Sequence, residues 1–361
     1  MRTLAVTRLE GLGAIRPHAE SIDALAVASG NYFHTLAWLE AWVGVGGPTE
    51  DELIGLAAID DGHVVAHLPV CRMERHLHRR VPLPLRYWGI AGSGYGAADH
   101  LGPAGDPSCF DALLAAVREL VGTSAALLEG VDPTHGALLE RHGFRLVGEH
   151  SCPRLDLRGV ASIDQLWPKK VRKELSRRAR RMADEGVEGR WIEDAAEVEA
   201  ALQELRRVHL ARWAAQGGAG LYDEARHELL VRLCHHGRGE QQPLLYVLEA
   251  GRSIVGSLLL LRCGTSMSSY KSGWEPAYQA LSPGVAMHVA AIGRAVEEGR
   301  HTYDFLRGTS SHKYTLRAAD RMDSTHLLGR GPVARLLELR EGGAPSLDPR
   351  ALLSRRRPAS P

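Results

Sequence analysis

The chain has 361 residues, with 44 Lys and Arg against 43 Asp and Glu, which leaves a formal net charge of +1. Hydrophobic residues make up 44% and charged residues 24%, which are ordinary values for a globular protein and exclude a wholly disordered or fibrous chain. The near-neutral charge excludes a global field toward nucleic acid or anionic membrane. The length predicts two domains, because one hydrophobic core rarely supports more than about 250–300 residues.

Cysteine usage and hydropathy predict a cytoplasmic protein without a membrane span. The five cysteines are scattered and form no Cys-x-x-Cys pair, which argues against a disulfide scaffold and a zinc knuckle. The N-terminus lacks the order of a signal peptide. The longest apolar run, 254–261, is far shorter than the roughly 20 residues that span a bilayer, so it predicts a buried strand.

The first half of the chain alternates helix and strand patterns. Apolar residues at near-helical spacing predict a helix over 31–42, and the runs 53–59 and 64–70 around Asp60-Asp61-Gly62 predict a hairpin. Further on, the pattern predicts helices at 111–120 and 133–142 and strands at 125–129 and 144–147. The Gly-rich stretch 89–105 lacks periodicity and predicts a long loop or surface lid.

A basic helix predicted over 169–181 marks the start of the second half, with eight basic residues in thirteen. The following patterns predict helices at 195–215, 224–234 and 284–298 and strands at 244–249, 253–262, 266–272 and 302–306. Both halves therefore show helices, a strand pair about a tight turn, and then helix and strand. We predict a duplicated α/β unit with domains at 1–155 and 156–341, followed by a disordered tail over 342–361, which is rich in Pro, Arg and Ser.

The segment Ser282-Pro283-Gly284 predicts an anion-binding helix start. Proline in the first helical turn loses no hydrogen bond, Ser282 can cap the helix, and Gly284 lets a ligand approach the backbone. Free N–H groups and the helix dipole at such a start favour an anion. The same residues also suit an ordinary helix start, so this signal is weak without context.

A second segment supports a functional role for this helix start: Tyr303-Asp304-Phe305-Leu306-Arg307-Gly308, followed in sequence by Lys313. Asp304 lies on an otherwise apolar strand, where desolvation can raise the pKa of a carboxylate, so it is a candidate general base or acceptor-orienting group. The alternative is that Asp304 only pairs with Arg307 or accepts a neighbouring backbone N–H. Lys313 is a candidate for stabilising an oxyanion or phosphate; the alternative is a solvated surface lysine.

Several motifs follow one another along the chain; they are Phe33, Trp38-Leu39-x-x-Trp42, the basic helix ending in Gly186, His209-x-x-Arg212-Trp213, Ser282-Pro283-Gly284, Tyr303 to Gly308, and Lys313. Together, over roughly residues 30–330, they resemble the GNAT acetyltransferases associated with cellulose biosynthesis.

The resemblance implies an α/β (α+β) protein of tandem GNAT-like domains, each with a mixed, mainly antiparallel sheet flanked by helices. It implies a degenerate N-terminal domain that shapes the acceptor pocket. It also implies an N-acyltransferase that moves an acetyl group from acetyl-CoA, held near Gln279, Ser282, Pro283 and Gly284, to an amine of a small molecule or sugar.

The family is itself similar to the Fem-type transferases, which pair two GNAT-like domains and move an amino acid from aminoacyl-tRNA onto an amine. The loop 279–286 has two residues more before its glycine than the usual GNAT pyrophosphate loop. Both donors therefore stay open, and tRNA is the less favoured partner because the basic helix lacks aromatic residues for base stacking. A third alternative is a catalytically inactive scaffold in a biosynthetic pathway.

Several further residues are candidate acceptor-binding groups. His209 and Trp213 lie one helical turn apart and can face an acceptor pocket, although such a pair also suits helix packing. Tyr270, Arg307 and Tyr314 can donate hydrogen bonds to a substrate, and the two tyrosines also suit core or rim positions. The histidines lack the partner spacing of metal sites, so we predict no metal.

Overall fold

The computed structural model describes residues 4–45, 48–78, 81–192, 194–218, 220 and 222–342. Of the predicted disordered tail, residues 343–361 lie outside the described residues. Within the described part of the chain, every helix is too short or too polar to cross a lipid bilayer.

The first half forms the strands β1 (Val6–Glu10), β2 (Leu53–Asp60), β3 (His63–His78), β4 (Val81–Ile90), β5 (Ala104–Gly105), β6 (Ala126–Val131) and β7 (Arg145–Ser151). Its helices are α1 (Gly11–Ile15), α2 (Ala19–Ser29), α3 (Leu36–Trp42), α4 (Phe110–Val121) and α5 (Gly136–Arg141). The predicted helices and hairpin of this half are present, with β3 running eight residues beyond its predicted end at Val70.

The second half forms the strands β8 (Arg154–Asp156), β9 (Val187–Ile192), β10 (Leu244–Ala250), β11 (Ser253–Cys263), β12 (Ser266–Trp274), β13 (Thr302–Asp304) and β14 (Met322–Leu328). Its helices are α6 (Lys169–Asp184), α7 (Ala195–Ala214), α8 (Glu224–His236), α9 (Pro283–Glu297), α10 (Ser311–Thr315) and α11 (Pro332–Gly342). A short 3-10 helix, Pro276–Leu281, leads into α9.

The strands form two mixed, mainly antiparallel sheets flanked by helices. The first has the order β1-β2-β3-β4-β6-β14-β7, with β5 paired to β3, and the second has the order β8-β13-β12-β11-β10-β9. Each sheet contains a parallel pair, β4 with β6 in the first and β12 with β13 in the second. This shared arrangement confirms the predicted fold class of two similar α/β units.

The two units exchange strands at their junction. Strand β14 comes after the second sheet in sequence, yet it lies between β6 and β7 of the first sheet. Strand β8, at the predicted boundary near residue 155, pairs with β13 of the second sheet. The domain division at 155/156 stays a prediction, but β14 belongs to the first sheet in space.

The Gly-rich stretch 89–105 lies between the two halves and is not a surface lid. Its first residues belong to β4, and none of residues 91–103 is exposed. Tyr270 of β12 donates a hydrogen bond to the Gly96 carbonyl at 2.6 Å and packs edge-on against Trp38 with ring centroids 5.6 Å apart. Of the two predictions for this stretch, the long loop is present and the surface lid is wrong, because its glycines allow close packing: a methyl group on Gly96 would lie 2.8 Å from the Trp42 ring.

Candidate active site

The parallel strands β12 and β13 separate after their third residue pair, which leaves a gap at one end of the second sheet. Their last paired residues are Ser268 and Asp304, where β13 ends while β12 continues to Trp274. A β-bulge follows on β12, because Ser269 and Lys271 face consecutive residues of β11 and Tyr270 between them has no partner in the ladder. A bulge frees backbone polar groups from the ladder, and such sites often lie beside active sites. The gap is therefore the candidate acyl-transfer site.

Helix α7 crosses the end of β12 at very short range. A methyl group on Gly273 would overlap the backbone of Val208 and His209, so glycine is required for this crossing. The crossing fixes His209, whose Nδ1 lies 2.8 Å from the Ser272 carbonyl oxygen. Since a carbonyl can only accept, Nδ1 carries the proton and the neutral ring presents an unprotonated Nε2.

His209 is suited to accept a hydrogen bond inside the site. Burial lowers the pKa of its imidazole to about 4, so the ring is neutral near pH 7. Its Nε2 is buried and has no hydrogen-bond partner among the described residues. Trp213, one turn on, lies with its ring centroid 6.2 Å from that of His209. The structure thus places these two predicted acceptor-binding residues together over β12.

The predicted cofactor-binding residues meet Trp274 at the start of α9. The Trp274 indole N–H donates to Gln279 Oε1 at 2.6 Å, and a methyl group on Gly284 would lie 2.8 Å from Trp274 Cζ3. Ser282 has a left-handed backbone with φ +59° and makes no side-chain cap, in contrast to the predicted capping role. Its main chain still accepts from the Val285 N–H at 3.0 Å. The space that the sequence assigned to a ligand at Gly284 is filled by the indole.

Asp304 is held by a histidine that the sequence analysis missed. Its Oδ2 lies 2.9 Å from His100 Nε2, and its Oδ1 accepts the Leu306 N–H at 2.6 Å. His100 also contacts Asp323 Oδ1 through Nδ1 at 2.8 Å and donates its backbone N–H to Asp323 Oδ2 at 2.6 Å. The imidazole therefore bridges two carboxylates, one from each side of the junction.

This bridge keeps the imidazolium form of His100. Burial alone lowers the pKa of the ring, but the adjacent Asp304 and Asp323 carboxylates raise it well above the ordinary value. Of the alternatives predicted for Asp304, the backbone N–H contact is present, from Leu306, whereas its ionic partner is His100 and not Arg307. An Asp-His pair within a Gly-rich stretch is a weak signal, because sequence alone does not show that the loop is buried between two sheets.

Arg307 instead binds Asp99, the residue next to His100. Its Nε and Nη2 lie 3.0 and 2.8 Å from Asp99 Oδ1, and its backbone N–H donates to Oδ2 at 2.9 Å. Burial would raise the pKa of Asp99, but the Arg307 guanidinium holds it below its ordinary range. Asp99 and His100 are neighbours on a loop of the first half, and Asp304 and Arg307 lie at and just after the end of β13. The two ion pairs, His100 with Asp304 and Asp99 with Arg307, therefore connect the two halves.

Four side chains near this network could in principle bind a metal ion, but their other contacts do not favour a metal site. Asp99, His150, Cys152 and Asp323 bring one ligand atom each within 4.8 Å of one another. However, Asp99 is neutralised by Arg307, and burial raises the pKa of the Cys152 thiol, which disfavours the thiolate that binds metals. The expectation of no metal stays a prediction.

Lys313 is buried, and its ammonium group is fully engaged by backbone. Its Nζ donates to the carbonyl oxygens of Phe305, Leu306 and Arg307 at 3.0, 2.6 and 3.1 Å. Burial lowers its pKa to about 8. The three acceptors match the three donors of an ammonium group. Lys313 thus holds the loop after β13, where Leu306 has a left-handed backbone with φ +54°. It is not the solvated lysine of the alternative prediction.

Tyr314 lies at the surface, away from the gap. Its side chain is 38% exposed, and its hydroxyl donates to Asp320 Oδ1 at 2.8 Å. The structure therefore does not bring Tyr314 together with His209 and Trp213, which lie over β12, or with Tyr270, which belongs to β12. A role for Tyr314 in substrate binding stays a prediction.

Comparison with known families identifies the part of the chain that carries this site. Residues 169–314 match the family model described as "Acetyltransferase (GNAT) domain". This segment is a GNAT acetyltransferase domain. The protein is accordingly an acyltransferase, and the match includes α7, β12, α9 and β13, which surround the gap. No curated protein sequence matches the chain.

Solved structures show the same fold over almost the whole chain. The structure is similar to FemX, with a TM-score of 0.63 and 13% identity over 89% of this chain and 98% of FemX. It is similar to the C-terminal DUF2156 domain of a putative lysylphosphatidylglycerol synthetase from Agrobacterium fabrum, with a TM-score of 0.59 and 13% identity over 91% and 98%. A tandem GNAT protein from the clavulanic acid biosynthesis pathway gives 0.50 and 12% over 91% and 99%. These likenesses establish the tandem GNAT fold, while the cellulose-associated type stays a prediction.

Proposed function

We propose that this protein is an N-acyltransferase that moves an acetyl or other acyl group from acyl-CoA to an amine of a small molecule or sugar. The observation that supports this function best is the gap between β12 and β13 with the bulge at Tyr270. An acyl carbonyl in the gap can meet the freed backbone of the bulge, which suits the stabilisation of a developing oxyanion.

In the proposed reaction, His209 binds and orients the acceptor amine. The amine nitrogen attacks the thioester carbonyl carbon, a C–N bond forms, and the C–S bond breaks to release a thiolate. The nitrogen loses one proton and the thiolate takes up one, so the products are the amide and the free thiol. The unprotonated Nε2 of His209 can accept the hydrogen bond of the attacking amine and orient its lone pair. The Ser272 carbonyl holds the ring in the tautomer that this role needs.

We assign Asp304 and Lys313 to positioning and not to direct chemistry. Both side chains have internal partners for their polar atoms, and both fix the loop after β13. This loop forms the second wall of the gap. The predicted catalytic roles of these two residues are thereby replaced in our proposal by support of the site.

The donor assignment rests on the acetyltransferase family match and on the chemistry near α9. Trp274, Gln279 and Gly284 form one packed group at the start of that helix, with the cation Arg212 stacked on the indole. A cation beside a helix start suits the phosphates of coenzyme A. The positive charge of Arg212 therefore makes this group of residues a suitable site for the phosphates of acyl-CoA.

Thiol release from acetyl-CoA in the presence of a panel of amines tests the proposal. We expect wild-type protein to release thiol with some amine, and His209→Gln to lower kcat by about 100-fold, the lower range for loss of acid–base assistance. The matched control is His235→Gln, at an exposed position on α8, which should keep wild-type kcat. Absence of both coenzyme A binding and thiol release would exclude acyl-CoA as donor.

The second candidate function is an aminoacyl-tRNA-dependent, Fem-like transfer, and the basic helix α6 favours it. Glu174 pairs with Arg177 and Arg178. Within the described part of the chain, five further basic residues of α6 form no ion pair; they are Lys169, Lys170, Lys173, Arg180 and Arg181. The helix also packs against α9 and the short helix before it, so these charges lie beside the proposed donor site.

Salt-dependent RNA binding separates the two donors. A protein that neutralises four or five phosphates should show a log–log salt slope of about −3 to −4. Binding of tRNA with such a slope, reduced in Lys169→Gln and Lys173→Gln, and without coenzyme A binding, would favour the second function. Catalytic turnover with either donor would exclude an inactive scaffold.

A further inference from the structure

Arg212 is a cation without an ionic partner in the described part of the chain. The other arginines of α7 and α8 each pair with a carboxylate; the pairs are Arg206 with Glu224, Arg207 with Glu204 and Glu275, Arg226 with Asp223, and Arg232 with Glu228. Arg212 forms no such pair. Its Nε–H is buried and has no acceptor among the described residues. Arg212 therefore differs from the other four arginines of the same two helices, each of which has a carboxylate partner.

Aromatic rings and neutral imidazoles surround this guanidinium. Its Cζ lies 3.7 Å from the centroid of the Trp274 ring and 5.8 Å from that of Trp213. Burial lowers the pKa of His209, His288 and His312, and the charge of Arg212 adds to this lowering for each of the three rings. None of these neighbours carries negative charge. Burial lowers the pKa of Arg212 itself to about 10, which still leaves it charged near pH 7.

A partly buried guanidinium needs hydrogen-bond acceptors, because an unmade bond to a charged group is costly. Stacking on Trp274 orients the plane of the guanidinium but offers no acceptor. A planar fork of N–H donors matches the oxygens of a phosphate or carboxylate in a bidentate contact. The missing partner therefore has the chemistry of an oxyanion.

We propose that Arg212 binds an oxyanion of a substrate, either a phosphate of the acyl donor or a carboxylate of the acceptor. The proposal extends the function above, since it adds an anion-binding side chain from α7 to the start of α9. Its position between Trp274 at the donor side and His209 at the acceptor side is compatible with both sources. The existence of the subsite does not depend on coenzyme A being the donor.

Calorimetry with three donor probes tests the donor source. The probes are inorganic pyrophosphate, coenzyme A, and pantetheine, which lacks phosphate. If Arg212 binds the donor, Arg212→Gln should weaken pyrophosphate and coenzyme A by at least about tenfold, as expected for a lost charge-assisted hydrogen bond, and leave pantetheine unchanged. Arg232→Gln, a paired arginine on α8, is the control and should bind all three like wild type.

Acceptor kinetics test the other source. If Arg212 binds the acceptor, Arg212→Gln should raise KM at least about tenfold for amines that carry a carboxylate, but not for their carboxamide analogues. Coenzyme A affinity should then stay at the wild-type value. Unchanged donor affinity together with unchanged KM for both acceptor types would overturn the proposal.

Stability without ligand separates binding from a structural role. Burial of a guanidinium without an ionic partner costs free energy, which offsets its stacking on Trp274, so Arg212→Gln should unfold close to the wild-type temperature or above it. A clearly lower temperature, with pantetheine weakened as much as coenzyme A, would show a structural role and would also overturn the proposal. Arg212-dependent pyrophosphate binding without any thiol release from acetyl-CoA would keep the subsite and exclude acyl-CoA as donor.

Discussion

Replacing His100 with asparagine should destabilise the protein and remove a pH dependence from its stability. His100 has a left-handed backbone with φ +59°, which asparagine tolerates better than most residues, so the loop itself should keep its path. The substitution removes the imidazolium that lies 2.9 Å from Asp304 and 2.8 Å from Asp323. Two buried carboxylates then share no cation.

The size of the effect follows from burial. Asp323 is fully buried and Asp304 is nearly so. Removal of one partner from a buried ion pair typically costs about 3–5 kcal/mol, because an uncompensated charge stays inside. We expect a loss of this order in the free energy of unfolding near pH 6.

The pH dependence has a definite sign. The folded state holds the pKa of His100 well above its unfolded value, so the stabilisation is complete below the unfolded pKa of about 6.5 and is lost as pH rises through the folded pKa. Between these two pKa values the wild-type protein should lose about 1.4 kcal/mol per pH unit relative to the variant. The difference between wild type and His100→Asn should therefore shrink as pH rises.

Urea unfolding followed by tryptophan fluorescence from about pH 6 to about pH 9 measures both effects. His63→Asn, at an exposed position at the start of β3, is the control and should unfold like wild type at each pH. A difference between wild type and His100→Asn that stays constant across this range, or that is below about 1 kcal/mol at pH 6, would refute the ionic bridge.

Three further substitutions test the supports of the site. Lys313→Met should lower the free energy of unfolding by about 3 kcal/mol, because three backbone carbonyls lose their donor; a loss below about 0.5 kcal/mol in urea unfolding would contradict this. Gly273→Ala should cost about 2 kcal/mol and lower kcat/KM, since α7 must move from β12, whereas the control Gly136→Ala meets no atom within 4 Å and should be tolerated. Gly284→Ala should displace the Trp274 ring, which a shift in fluorescence and weaker coenzyme A binding would report; an unchanged spectrum would argue against that contact.

Local patterns predicted the elements of the second half closely. The helix predicted at 284–298 is α9 at Pro283–Glu297, and the strand predicted at 253–262 is β11 at Ser253–Cys263. Hydrophobic periodicity and turn residues determine such elements within a short window. The same logic missed β14 (Met322–Leu328), whose sequence is mixed and whose partners are β6 and β7, more than 170 residues away. Its strand character comes from those partners.

The positions of candidate residues were predictable where they depend on one helix or strand alone, while the roles of these residues stay predictions. His209 and Trp213 follow from helical spacing on α7, and the structure places them over the end of β12 as a pair. Asp304 was found as the polar residue on an apolar strand, but its partner was not, because His100 lies 204 residues away on a loop of another sheet. Charge pairing across a junction leaves no periodic trace in the sequence.

The strand exchange gives the first half a direct influence on the proposed chemistry. Strand β14 places Asp323 in the first sheet, Asp323 binds His100, and His100 binds Asp304 at the end of β13. The end of β13 forms one wall of the gap in which we place acyl transfer. The position of that wall therefore depends on a loop and a sheet outside the matched GNAT segment, 169–314. We infer that the matched segment alone would lose this support, and that the first half contributes to the geometry of the site as well as to its surface.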